Sequence, residues 1–245
     1  LPAFSAARDG TGEAVFYALF HAVSAFCNAG FALFSDSLEG FSGNLLVNGT
    51  IAVLIIIGGI SFSVIIEVSG RAAHYFERLW YSVSESLRRR EKSGLFEERR
   101  SFHSAFPKKY SLNSRVVLTG TGLLLLFGML LFYLTEHTEI LAQLPTGTQY
   151  LAAFFQSVTL RTAGFNTIPI GELATGTLLI MMIFMFIGAA QGSTAGGIKI
   201  NTVAVIYSYV QSVLSGRSDV LHLRFTISSE PAQQAFLLLL FGIIS

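Results

Sequence analysis

The sequence holds one cysteine, Cys27, in 245 residues, which excludes an intrachain disulfide and a cysteine metal cluster. Charge is scarce. Asp, Glu, Lys and Arg make up 13% of the chain, against about 25% in soluble domains, and that excludes an ordinary soluble class. The five histidines show no ligand spacing such as i, i+4, so none calls for a metal. Neither a signal peptide nor an initiating methionine is present. The net charge of +1 gives no reason to expect a nucleic-acid partner. What remains is apolar: 52% of residues are hydrophobic and the mean hydropathy is +0.59. Such a chain belongs in a membrane, in contact with lipid.

The few charges are placed unevenly. Eleven of the sixteen Lys and Arg lie between Arg71 and Arg115, interleaved with Glu77, Glu85, Glu91, Glu97 and Glu98. The positive-inside rule puts that stretch in the cytoplasm. Before it, Leu45 to Ile66 is 22 residues without charge, roughly 33 Å as a helix, and is predicted to span a hydrocarbon core of about 30 Å. After it, Val116 to Leu134 is the next predicted span and ends in Thr135-Glu136-His137-Thr138-Glu139, an outer segment without Lys or Arg. Leu173 to Leu214 is 42 residues, nearly twice one crossing. The excess is explained if Gly192-Ser193-Thr194-Ala195-Gly196-Gly197 unwinds the helix part way across, because each helix-interior glycine costs about 1 kcal/mol. Irregular backbone at that depth survives only beside protein or water. Phe236 to Ile244 is apolar but too short to span, and the chain reads as a fragment of a longer membrane protein.

Two stretches 134 residues apart read alike. Phe20 to Phe31 and Phe154 to Phe165 both end in Ala-Gly-Phe, and each precedes an apolar segment carrying Gly-Gly-Ile, at Gly58-Gly59-Ile60 and Gly196-Gly197-Ile198. The helices ahead of the two turns, Gly12 to Phe26 and Leu151 to Val158, are too short to cross and must turn back. A dipping helix that ends in a glycine turn before a spanning helix suits an ion-selective pore, since carbonyls beside a glycine meet a dehydrated ion with no Cβ in the way. The bland alternative is that each glycine only caps a helix, as happens at a third to a half of helices.

At these residues the chain resembles the Ktr/Trk/HKT superfamily of potassium transporters, most closely the bacterial membrane subunit of the Ktr and Trk uptake systems. Ser24-Ala25-Phe26-Cys27-Asn28-Ala29-Gly30-Phe31 is similar to the second filter of that family, and Ser157 through Thr167 to the third. Gly192 through Lys199 resembles the broken helix of the third repeat, which gates beneath the filter. Leu160 stands in place of a family proline, Ala190-Gln191 in place of Ser-Pro, and Cys27 in place of a common asparagine. The resemblance implies an all-α membrane protein of repeated span, re-entrant pore helix, filter loop and span units, as in a potassium-channel-like pore. Residues 1–70 would form the second repeat, 71–115 a cytoplasmic loop, 116–214 the third repeat with its broken second helix, 215–230 another cytoplasmic loop and 231–245 the start of a fourth repeat.

The implied activity is potassium uptake, with no enzymatic step and no cofactor beyond potassium, or sodium, as cargo. The carbonyls of Cys27, Asn28 and Ala29, and of Arg161, Thr162 and Ala163, would line the path, oriented by Gly30 and Gly164. The turn Thr162-Ala163-Gly164-Phe165 resembles the Thr-Val-Gly-Tyr-Gly filter of potassium channels without its last glycine. Gly192, Ser193, Thr194, Ala195, Gly196, Gly197 and Lys199 would form the gate. Arg161 is expected to tie the pore helix to a carbonyl or a carboxylate, with Glu136, Glu139 and Glu172 as candidates, and a surface position is the alternative for all three. Lys199 is expected to meet carbonyls freed by the break, to face the inner cavity, or to snorkel to the inner interface. Partners implied by the resemblance are membrane lipid, a second copy in a homodimer and a cytosolic nucleotide-binding ring near the basic loop, which could also serve only as a topology signal. The location implied is the inner (plasma) membrane, crossed several times.

Other classes fit less well. Gly192 to Lys199 lacks the lysine position and the preceding strand of a phosphate-binding loop. Gly192-Ser193-Thr194-Ala195-Gly196 puts its serine one place early for an intramembrane serine protease. A non-transporting scaffold would account for the spans and leave the repeated turns without a purpose. Asn48-Gly49-Thr50 matches a glycosylation sequon but falls within a predicted span.

Overall fold

A computed structural model of the protein describes residues 11–87, 110–215, 220–222 and 225–227. The expected outer linker before Thr11, the middle of the basic loop and the start of a fourth repeat lie outside the described residues. The fold is all-α apart from one short hairpin. Its helices are α1 (Thr11–Phe26), α2 (Leu45–Gly59), α3 (Phe62–Leu87), α4 (Leu112–Glu136), α5 (Thr146–Thr159), α6 (Thr175–Phe186) and α7 (Ile200–Leu214). Strands β1 (Val220–His222) and β2 (Phe225–Ile227) pair antiparallel after α7.

Local chemistry starts two of the helices, α2 and α4. Asn44 caps α2, its Oδ1 accepting from the backbone N–H groups of Leu46 and Val47, each at 3.1 Å, and Ser111 caps α4 by accepting from Ser114 N at 3.1 Å. At 25 residues, α4 is about 37 Å long. Among the described residues it is the one unbroken helix long and apolar enough to cross a bilayer. It exposes Leu123, Leu126, Phe127, Leu130 and Leu134, a stripe suited to lipid. Asn48 is buried and its Nδ2 donates to the carbonyls of Phe41 and Asn44 at 2.7 and 2.9 Å, so the sequon holds together the start of α2.

The uninterrupted span expected from Leu45 to Ile66 is corrected. The chain bends by 112° between α2 and α3, and the break falls at the Gly58-Gly59-Ile60 copy of the repeat. The cause is tertiary. A Cβ at Gly58 would stand 1.9 Å from the carbonyl oxygen of Phe26, so α2 meets the end of α1 at a distance only glycine permits. The carbonyls of Gly58 and Gly59 then take donors from elsewhere in the chain. Helix α3 also continues to Leu87, into the stretch read as loop.

Two apolar clusters position the repeats. Ala25 of α1 and Ile51 and Ile55 of α2 pack with Phe155 and Val158 of α5 and with Phe165 beyond it, so the expected second repeat shares its core with the expected third. Phe132 of α4, Ala152 and Ala153 of α5 and Met181 of α6 form the other cluster.

Candidate ion pathway

Both short helices end at a left-handed residue two positions ahead of the glycine, and the glycine is not the cap. In α1 the left-handed residue is Asn28 (φ 50). Ala29 N donates to Ser24 O at 2.9 Å and Asn28 N to Ala25 O at 3.1 Å, the double closure of a Schellman motif with Asn28 at C′. In α5 the left-handed residue is Thr162 (φ 63), 134 positions on, with Ala163 N donating to Thr159 O at 3.0 Å. Two residues beyond each cap a second left-handed position follows, Gly30 at φ 72 and Gly164 at φ 82. Helix capping therefore leaves these glycines unexplained, since each helix is already closed before its glycine arrives.

The two turns touch. A Cβ at Gly30 would stand 2.6 Å from Ala163 O and 2.7 Å from Gly164 Cα, and one at Gly164 would stand 3.1 Å from Gly30 Cα. Each turn is anchored to its own pore helix by a hydroxyl. Ser24 Oγ donates to Phe31 O at 2.8 Å and Thr159 Oγ1 to Phe165 O at 2.6 Å. Of the candidate carbonyl donors, Cys27 and Ala29 are exposed, while Asn28, Arg161 and Ala163 are buried. None of the six lies in a helix.

His21 supports the first turn. It is buried, its Nδ1 lies 2.7 Å from Tyr17 O, and Leu33 N donates to its Nε2 at 3.3 Å. Those two contacts use both ring nitrogens of a neutral imidazole, and Phe34 stacks on the ring at 5.3 Å.

The helix break after α6 is wider than Gly192 to Gly197. Helix α6 ends at Phe186 and α7 begins at Ile200, so the broken segment is 187–199. It starts early because its two ends pair: Gly188 N donates to Ile198 O at 2.8 Å and Ile198 N to Phe186 O at 2.9 Å. Gly188, which sequence reasoning passed over, makes this neck possible. A Cβ there would lie 1.8 Å from Gly196 O. Gly192 (φ 75) and Gly197 (φ 73) take left-handed conformations, as the glycine spacing suggests. Lys199 Nζ donates to Ala195 O, the carbonyl alternative among those expected for it.

The loop docks on the end of α2 and on both turns. Ala190 N donates to Gly59 O and Thr194 N to Gly58 O, both at 3.1 Å. Thr194 Oγ1 lies 2.9 Å from Gly58 O and 3.0 Å from Phe26 O, and it accepts from Asn28 Nδ2 at 2.8 Å. Gly196 N donates to Thr162 Oγ1 at 2.8 Å. The loop thus meets the break in α2, and the two Gly-Gly-Ile copies of the sequence are two helix breaks lying near one another.

Arg161 joins the same junction. It is 2% exposed and its Nη2 donates to Gly59 O at 3.2 Å, so the partner is a helix C-terminal carbonyl, where a cation is favoured. None of the three expected carboxylates is its partner. Glu139 and Glu172 are exposed. Glu136 is fully buried instead of at the surface, and its Oε1 accepts from Ala174 N at 3.1 Å and from Thr177 Oγ1. That carboxylate satisfies donors at the start of α6, which no local side chain caps. A second tie joins the repeats: Asn166 Nδ2 donates to Glu39 Oε1 at 2.7 Å, and Leu38 N to Asn166 O at 3.0 Å.

Near the start of α3, Glu67 accepts from Arg71 Nη2 at 3.1 Å, from Ser111 N at 2.9 Å and from Ser114 Oγ. The guanidinium of Arg71 lies over the Tyr110 ring at 4.1 Å. Glu67 thus clamps the two ends of the basic segment together.

Short helices that end in paired glycine turns, packed against a helix broken at mid-length and framed by an apolar span, define a helical membrane protein of repeated pore-loop units. The whole-chain comparison agrees. Residues 2–245 match the family described as TrkH, cation transport protein, and the chain belongs to that family. It is 39% identical over 221 residues to the Ktr system potassium uptake protein B of Vibrio alginolyticus, covering 89% of this chain and 42% of that protein. It is 34% identical over 220 residues to the Ktr system potassium uptake protein B of Bacillus subtilis, with the same coverage of 89% and 42%. The crystal structure of the potassium transporter TrkH from Vibrio parahaemolyticus superposes with a TM-score of 0.63 at 18% identity, over 91% of this chain and 42% of that one, which establishes the fold. The chain thus spans less than half the length of the relatives it matches.

Proposed function

We propose that the chain carries two adjacent pore repeats of a potassium uptake transporter, in which a dehydrated potassium ion passes main-chain oxygens of Cys27, Asn28, Ala29, Arg161, Thr162 and Ala163. The observation that carries this reading is the contact between Gly30 and Gly164, each two residues past a closed helix cap. Two segments that need glycine for their mutual approach, with no capping duty left to explain them, are suited to lining one narrow path. Several oxygens must face the ion at once to offset the loss of its water. Arg161, turned to Gly59 O, acts as a brace, since a guanidinium in the path would repel the cargo.

The segment 187–199 serves as an intramembrane gate. What supports this is its docking on both turns through Thr194 and Gly196 and its narrow neck at Gly188. The transporter sits in the inner (plasma) membrane as a multi-pass homodimer. The basic segment between Arg71 and Arg115 faces a cytosolic nucleotide-binding ring, and the Glu67 clamp ties its ends to the transmembrane part.

In the full-length protein, Gly164→Ser is expected to lower the potassium to sodium uptake ratio in cells without their own potassium uptake. An unchanged ratio in protein of normal abundance would remove the filter assignment. Deletion of residues 192–197 is expected to raise the flux of both ions, and wild-type flux in the deletion would reduce the segment to a structural kink.

A further inference from the structure

The loop holds the two turns at the same repeat position. Asn28 and Thr162 are equivalent under the 134-residue offset, and both are non-glycine residues at positive φ. For the β-branched Thr162 this conformation is an outlier that its surroundings must hold in place. Those surroundings include the loop: Gly196 N donates to Thr162 Oγ1 at 2.8 Å, and Thr194 Oγ1 stands 2.8 Å from Asn28 Nδ2.

The chemistry of Thr194 fixes the direction of that second bond. Its hydroxyl has one proton and two lone pairs. Two of its neighbours, Phe26 O and Gly58 O, can only accept, so the proton goes to one of them. The amide of Asn28 must then present its NH2 to Thr194, which leaves Oδ1 turned elsewhere. Asn28 is 8% exposed and its Oδ1 has no protein partner. The same hydroxyl also reaches the last carbonyl of α1, directly ahead of Cys27. One side chain of the loop therefore sets both the entry to the first turn and the amide orientation inside it.

We infer that Thr194 is a positioning residue for cation discrimination: the docked loop holds Asn28 and Thr162 in the conformation that selects potassium, so selectivity depends on where the loop sits. This inference rests on the filter and gate reading and goes beyond it. A loop that only obstructs the path would change how much passes and leave unchanged which ion passes. A loop that also holds the turns changes both.

The test compares Thr194→Val, which keeps the shape and removes the hydroxyl, with Thr194→Ser, which keeps the hydroxyl. Both are made in the full-length transporter, and potassium and sodium uptake are measured side by side. Thr194→Val is expected to lower the potassium to sodium ratio by about fivefold, the equivalent of one hydrogen bond, while Thr194→Ser keeps the wild-type ratio. If Thr194→Val raises the uptake of both ions equally, the inference is overturned and the gate survives. Gly164→Ser reports separately on the filter, so the two failures are distinguishable. Should Thr194→Val not reach the membrane, purified Thr162→Val reads the same coupling from the other turn. Its thermal protection by potassium over sodium is expected to shrink, and wild-type protection would overturn the inference.

Discussion

Gly30→Ala in the full-length transporter is expected to reduce discrimination of potassium over sodium by more than about tenfold, equivalent to ~1.4 kcal/mol. The reason is where the added methyl would go. Its Cβ would lie 2.6 Å from Ala163 O, 2.7 Å from Gly164 Cα and 2.9 Å from Gly164 C. All three are backbone atoms, so no rotamer change can make room, and the turn of the other repeat has to move. A left-handed alanine adds about 1–2 kcal/mol of local strain. The displaced atom, Ala163 O, is one of the proposed ligands. Gly164→Ser is expected to have the smaller effect, because its Cβ meets the first turn at 3.1 Å. Parallel measurements of potassium and sodium uptake check this order, with membrane abundance as the control for folding. If the order is reversed, the contact between the turns does not set the selectivity.

Features written in local chemistry were legible in the chain. The apolar run of α4, the short helices ahead of the two turns and the glycine-dense interruption after α6 are consequences of composition and spacing within a few residues. Family membership was legible for the same reason, since the repeated Ala-Gly-Phe and Gly-Gly-Ile motifs sit at fixed offsets. The break between α2 and α3 was not. Gly58-Gly59 lies in an apolar run that reads as continuous, and a glycine pair alone is tolerated in a helix at modest cost. What ends α2 is a set of donors, Ala190 N, Thr194 N and the Arg161 guanidinium, brought from more than 100 positions away in the sequence. Periodicity contains no record of such partners.

The same limit explains Arg161 and Glu136. Reading the chain, a buried guanidinium and three nearby carboxylates invite pairing. In the fold the guanidinium meets a carbonyl, and the one buried carboxylate, Glu136, serves the start of α6. Both charges are placed at helix ends, where unsatisfied backbone groups await them. A sequence signal did exist: α6 begins at Thr175 without a capping side chain, and such a helix needs an acceptor from outside. The role of Asn28 as the cap of α1 was also hidden, because the glycine two residues on is the more obvious cap.

The neck of the loop carries the other large effect. Gly188→Ala would bring a methyl to 1.8 Å from Gly196 O and 2.8 Å from Gly196 C. The two ends of the loop cannot remain paired around it, so the bonds from Gly188 N to Ile198 O and from Ile198 N to Phe186 O are lost together. Each of those bonds is worth about 0.5–1.5 kcal/mol, and with the neck apart the loop also loses its register against Gly58 and Gly59. Potassium flux through the full-length protein is therefore expected to rise severalfold, with a fall in thermal stability in detergent. Gly176→Ala is the matched control, because a Cβ there meets nothing within 4 Å and a helical alanine is favoured over glycine by about 1 kcal/mol. It should transport as the wild type does. Equal flux from the two variants would mean that the neck does not hold the loop closed, and the resistance of the pathway would then have to reside in the turns alone.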